Sequence, residues 1–126
     1  MEMEIVFPGG ARVDAIMGNL VVETNQDGTA PAPFGLFLAS IGTCAGIYVL
    51  SFCQHRGLPT DGIKIVQRVR SNPTTRMVEQ IDLDIVVPPD FPDKYHDALV
   101  RAANQCAVKK HLESPPHFNV RTTVPV

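Results

Sequence analysis

Three cysteines are the residues of this chain whose type could do redox chemistry: Cys44, Cys53 and Cys106. An odd number, with no Cys-x-x-Cys pair, makes no disulfide framework and suits a reducing compartment. A lone buried cysteine is ordinarily an inert small hydrophobe, and Cys53 reads that way. It follows Cys44 by roughly 900° of helix and about 13 Å of axis, so the two lie on opposite faces and cannot bridge within one chain. Cys44 sits among the small residues Gly42, Thr43, Ala45 and Gly46, with Ser40 and Tyr48 one turn away on the same face. A mid-helix position does not itself lower a thiol pKa, so reactivity there would need a nearby cation. Cys106 is followed within a turn by Lys109, Lys110 and His111. If the helix breaks and restarts here, Cys106 stands at the new N-terminus, where a thiolate is stabilised. The alternative is a packed cysteine in front of a solvated basic turn.

The element carrying Cys44 must be a long helix. No charged side chain occurs from residue 30 to residue 53, and the pattern predicts one almost fully buried helix from Phe34 to about His55. Pro31 and Pro33 mark its start, and Gly57 followed by Pro59 its end. At 1.5 Å per residue it runs roughly 33 Å. It is long enough to cross a bilayer, and Gly42-x-x-x-Gly46 is a pattern common between membrane helices. The flanking segments nevertheless alternate like soluble strands, and no basic cluster sets an orientation, so no membrane partner is expected. A helix apolar all round must be covered all round. A chain this small can hardly do so alone, so a second subunit is the natural cover, its backbone approaching at Gly42 and Gly46.

Before the helix, Glu4–Phe7, 11–17 and 20–24 read as strands, with a turn at Pro8-Gly9-Gly10 and a tight turn at Gly18-Asn19. After it, 63–70 and 77–87 read as an antiparallel hairpin with Ile81, Leu83, Ile85 and Val87 inside and Gln80, Asp82 and Asp84 outside. Asp90 or Phe91 is expected to cap a second helix with Pro92 in its first turn. Tyr95, Leu99, Ala102, Ala103 and Cys106 form its inner face. Ser114-Pro115-Pro116 ends the helical region, and 118–124 reads as a last strand. The order gives an α+β class and a single domain over 1–126. The net charge of -2 speaks against a nucleic-acid partner. The acidic N-terminus lacks a signal-peptide pattern, so a cytoplasmic location is expected.

Together these features resemble the OsmC/Ohr superfamily of osmotically inducible and organic hydroperoxide resistance proteins. The resemblance rests on Pro33-x-x-Leu36 running on to Ser40-Ile41-Gly42-Thr43-Cys44, and on Cys106-Ala107-Val108-x-x-x-Leu112. It implies a swapped homodimer in which antiparallel sheets wrap two long central helices. It also implies a thiol peroxidase without metal or cofactor: Cys44 peroxidatic, Cys106 resolving, an organic hydroperoxide as substrate and an external dithiol as reductant.

Two departures from the family pattern bear on activity. Where peroxidase members place a Glu just before the central helix to hold an activating Arg, this chain has Phe34 and Gly35. Ala107 replaces the Pro after the second cysteine. Arg12, the only arginine of the N-terminal strands, is the expected cation, with Arg68 and Arg70 as reserves from the hairpin. The competing readings are a non-catalytic homodimer binding a small apolar ligand at the subunit interface, made greasier by Phe34, and a redox-inert structural homologue. A lowered Cys44 pKa would favour the peroxidase.

Overall fold

A computed structural model describes residues 1–125. The chain divides into two compact units, Met1–Ser40 and Ile41–Val126, and the boundary falls within the long helix.

The first unit opens with a three-stranded antiparallel meander: β1 (Glu4–Gly9), β2 (Arg12–Met17) and β3 (Leu20–Asn25), in that spatial order. Gly18 begins the two-residue β2–β3 turn with φ 60°, a conformation open to glycine and suited to the right-handed strand twist. That turn fixes the register: Met17 faces Leu20, Asp14 faces Glu23 and Arg12 faces Asn25. The loop that follows is tied by side-chain caps. Asn25 Oδ1 accepts the Asp27 N–H, and Asp27 Oδ1 accepts both the N–H and the hydroxyl of Thr29, which lowers the Asp27 pKa. Helix α1 (Pro33–His55) begins after it.

In the second unit α1 runs on to a Schellman end. The Leu58 N–H bonds the Cys53 carbonyl, the Gly57 N–H bonds the Gln54 carbonyl, and Gly57 takes φ 64°. Strands β4 (Lys64–Ser71) and β5 (Val78–Val86) form the expected hairpin, with Ile65 facing Ile85 and Gln67 facing Leu83. Then come a 3₁₀ turn (Asp93–Tyr95), α2 (His96–Ala103) and α3 (Ala107–Glu113). Val49, Cys53, Phe91 and Leu99 make the core, with Ile65, Ile85, Val87 and Tyr95 packed around them.

Two expectations need correcting, the cap of the second helix and the last strand. Helix α1 is not buried all round by its own chain, as expected of a helix that a second subunit is to complete. Only Ile41, Ala45, Val49 and Cys53 are buried, one residue every fourth position, while Ile47 is 63% and Leu50 42% exposed. One hairpin and two short helices can cover only one stripe of it. Within the chain, a Cβ at Gly42 would collide with the tip of Gln67, and one at Gly46 would lie 3.8 Å from Ile65 Cδ1. The small residues therefore seat α1 on β4. Neither Asp90 nor Phe91 caps the second helix: Pro92, extended at ψ 123°, leads into the 3₁₀ turn, and Phe91 is a core residue. Finally, residues 118–124 form no strand. They pair with nothing in a sheet, and Phe118, Val120 and Val124 are exposed; alternation makes a strand only where an edge is available to pair with.

Candidate active site

The helical region breaks between α2 and α3, and the break makes the site. Helix α2 closes with Asn104 N–H on the Val100 carbonyl and Gln105 N–H on the Ala102 carbonyl. Cys106 then turns extended, at φ -46° and ψ 121°, and becomes the N-cap of α3. Its sulfur does what a serine oxygen does at other helix starts, accepting the Lys109 N–H at 3.4 Å. Its own S–H is directed at the Ile41 carbonyl of α1, 3.9 Å away. Cys106 is thus buried, 2% exposed, between the start of α3 and the middle of α1.

Cys44, half-buried, lies on α1 beside this junction. Its pKa is lowered. The chief cause is hydrogen bonding from the Val108 backbone N–H; burial works against it, and the Cys106 thiol and the Ala107 N–H add to the lowering. Backbone amides that terminate no helical bond of their own are available for such a role. The structure therefore brings Cys44 and Cys106 together, both as free thiols. It leaves Cys53 aside, fully buried, where desolvation pushes its thiol pKa up against the opposing charge of Arg56. The amide donors escaped sequence reasoning, which looked for a cation; the Cys-Ala-Val run next to a helix break was the signal for them.

Arg12, at the start of β2, donates from Nη2 to Asp14 Oδ2 at 2.6 Å and lies 3.4 Å from Glu23 Oε1. These partners, Asp14 above all, raise its pKa. They too were missed, though strand alternation places 12 and 14 on one face. Arg68 and Arg70 fall away as reserves in their own unit. Gln67 and Ile65 face α1, so the even positions of β4 point outward, and Arg68 there pairs with Asp84. Among the described residues no group of three His, Cys, Asp or Glu side chains is placed to hold a metal ion.

A cavity of about 440 Å³ adjoins the junction, lined mainly by apolar side chains such as Ile41, Ala45, Leu83 and Ala103, with Cys106 and Lys109 on its wall.

The family model for OsmC-like proteins matches residues 26–121. The chain belongs to the OsmC-like family. Solved structures share its fold at low identity. The OsmC-like protein of Mycoplasma pneumoniae matches at TM-score 0.68 and 11% identity over 90% of this chain and 87% of that one. The organic hydroperoxide resistance protein OhrB of Bacillus subtilis matches at 0.51 and 17%, over 88% and 90%. An OsmC-like hydroperoxide resistance protein from Jannaschia matches at 0.51 and 18%, over 90% and 83%. No curated protein matches it by sequence. This OsmC-like protein thus has an α+β fold shared with hydroperoxide resistance proteins, and both its motif cysteines stand at one helix junction.

Proposed function

We propose that this OsmC-like protein is a thiol peroxidase reducing organic hydroperoxides in the cytoplasm, as a homodimer of the swapped OsmC type. The observation that carries the reading is the junction itself: Cys44, its pKa lowered by the Val108 amide, stands beside the free thiol of Cys106. In the proposed cycle the Cys44 thiolate attacks the terminal oxygen of the hydroperoxide. The O–O bond breaks, the alkoxide takes a proton to leave as alcohol, and Cys44 becomes a sulfenic acid. The Cys106 sulfur then attacks that sulfenic sulfur, forming the Cys44–Cys106 disulfide and releasing water. An external dithiol reduces the disulfide by exchange and is itself oxidised to a disulfide.

One equivalent of cumene hydroperoxide, followed by intact-mass and peptide analysis, tests this. The expected product is a Cys44–Cys106 disulfide with Cys53 still free, and in Cys106→Ser a trapped Cys44 sulfenic acid. No oxidation, or a disulfide made mainly by Cys53, overturns it. The apolar cavity beside Cys106 favours a second reading, a dimer that binds a small apolar ligand without chemistry. Saturable binding that survives replacement of both Cys44 and Cys106, together with an inert Cys44, would establish that reading instead.

A further inference from the structure

The start of α3 is held by sulfur. A helix leaves its first N–H groups without helical partners, and at α3 each of them has found another. The Cys106 N–H bonds the Ala103 carbonyl, and the Lys109 N–H bonds the Cys106 sulfur at 3.4 Å. The Ala107 and Val108 N–H groups are donated to the Cys44 sulfur. The first bond of the helix proper, from the Lys110 N–H to the Cys106 carbonyl, comes only after these. We propose that α3 is a redox-sensitive latch: the free sulfurs of Cys44 and Cys106 hold its first turn in the wall of the cavity, and joining them in a disulfide releases that turn. The inference deepens the thiol-peroxidase reading, on which it rests for the oxidant that makes the disulfide.

Little else fastens this helix. It has seven residues, too few to be stable alone, and none of its side chains is buried. Its Lys109 and Leu112 nevertheless line the cavity, together with Ile41 and Ala45 of α1 and Ala103 of α2. Oxidation changes both sulfurs as acceptors. Cys44 accepts best as a thiolate, because a hydrogen bond to a charged acceptor is roughly twice as strong as a neutral one; in the disulfide that charge is gone. As the Cys106 sulfur bonds the sulfenic sulfur of Cys44, the sulfenic hydroxyl leaves with the Cys106 proton as water. The S–H directed at the Ile41 carbonyl is lost with it. Three N–H donors then face neutral disulfide sulfurs. The release has a use. Cys106 is 2% exposed, and thiol–disulfide exchange depends on access. A loosened first turn uncovers the disulfide to the external dithiol.

The test is amide hydrogen exchange read by mass spectrometry on peptides spanning 104–113, with the β4–β5 hairpin as internal control. Diamide makes the disulfide by taking two electrons and two protons from the thiols, so the measurement does not depend on peroxidase activity. Protein with the Cys44–Cys106 disulfide, located by peptide mapping, should exchange at 107–110 at least about fivefold faster than reduced protein. The hairpin should be unchanged, and dithiothreitol should restore the slow rate. Cys106→Ser keeps a capping oxygen and cannot form the disulfide, so its α3 should stay slow with or without diamide. Cys106→Ala keeps only the Cys44 acceptor and should exchange faster than reduced wild type. Equal or slower exchange in the disulfide form overturns the latch, and so does failure of diamide to link Cys44 with Cys106. A Cys106→Ala protein as slow as reduced wild type overturns it too; should that variant fail to fold, the comparison of reduced and disulfide wild type decides alone. Oxidation by one equivalent of cumene hydroperoxide separates the two readings. If diamide opens the latch while hydroperoxide leaves both thiols free, the latch stands and the peroxidase reading falls.

Discussion

Replacing Ala107 by proline isolates one of the amides at the cysteine junction. Ala107 is the first residue of α3, the helical position where proline fits best, so the fold should be spared. The substitution removes the Ala107 N–H, one of the groups that lower the Cys44 pKa, and leaves that of Val108, the larger one. The expected outcome is a modest rise in the pH midpoint of Cys44 alkylation with an unchanged melting temperature; an unmoved midpoint would mean this amide does nothing for the thiolate. In the wild type the signs are plain. Cys44, lowered, gains thiolate as pH climbs before an ordinary thiol would, whereas Cys53, raised, gains it only at higher pH. Between the two lies a window in which iodoacetamide labels Cys44 and spares Cys53, and peptide mapping across pH 6 to 9, roughly spanning the usual thiol value near 8.5, should find it. Sequence reasoning could rank the cysteines, because nine residues of helix put Cys53 on the far face. It passed over the amides, which exist only because α2 stops at Ala103 and the helix restarts after Cys106. The Asp14–Glu23 pairing was within reach, since counting back from the Gly18-Asn19 turn sets those two residues opposite each other.

At the scale of elements, the glycines of α1 give a graded expectation. A Cβ at Gly46 meets only Ile65 Cδ1, at an ordinary contact distance of 3.8 Å. Gly46→Ala should therefore raise stability by up to about 1 kcal/mol, the usual helix-interior difference between the two residues. Gly42→Ala must displace the tip of Gln67, so its gain should be smaller or reversed; urea melts of both variants check the order. A heavier test of the core is Leu99→Ala. Leu99 is 2% exposed and packs with Val49, Cys53 and Phe91, so the loss should be about 2–5 kcal/mol. The elements themselves were the most legible part of the chain. Absence of charge marked α1, alternation marked the hairpin, and Gly18, Gly57 and the prolines marked the ends. What misled was pattern without context. Residues 118–124 alternate like a strand but pair with no edge in the chain.

At the scale of the whole molecule the open question is what covers the rest of α1. By length and composition this helix could cross a membrane, yet one stripe of it carries the core of a domain whose hairpin has a charged outer face. The opposite side presents Ile47 at 63% and Leu50 at 42% exposure, and the C-terminal segment adds Phe118 at 83% and Val120 at 96%. Each large apolar side chain left in water forgoes about 1.5–3 kcal/mol of burial. A helix this apolar needs a partner on every side, and the homodimer of the proposed function supplies one. Light scattering at micromolar concentration should therefore give twice the chain mass of 13.7 kDa. Ile47→Glu is the sharper probe. In a solvated position it would be nearly silent, because a surface change away from any special contact usually costs within about 0.5 kcal/mol. Under a second copy of the chain it would bury an unpaired carboxylate, which is strongly unfavourable, and the protein should shift toward monomer or lose thermal stability as its concentration falls. A wild-type monomer, or an Ile47→Glu protein that stays dimeric with its melting unchanged, would show that a second copy does not cover this face.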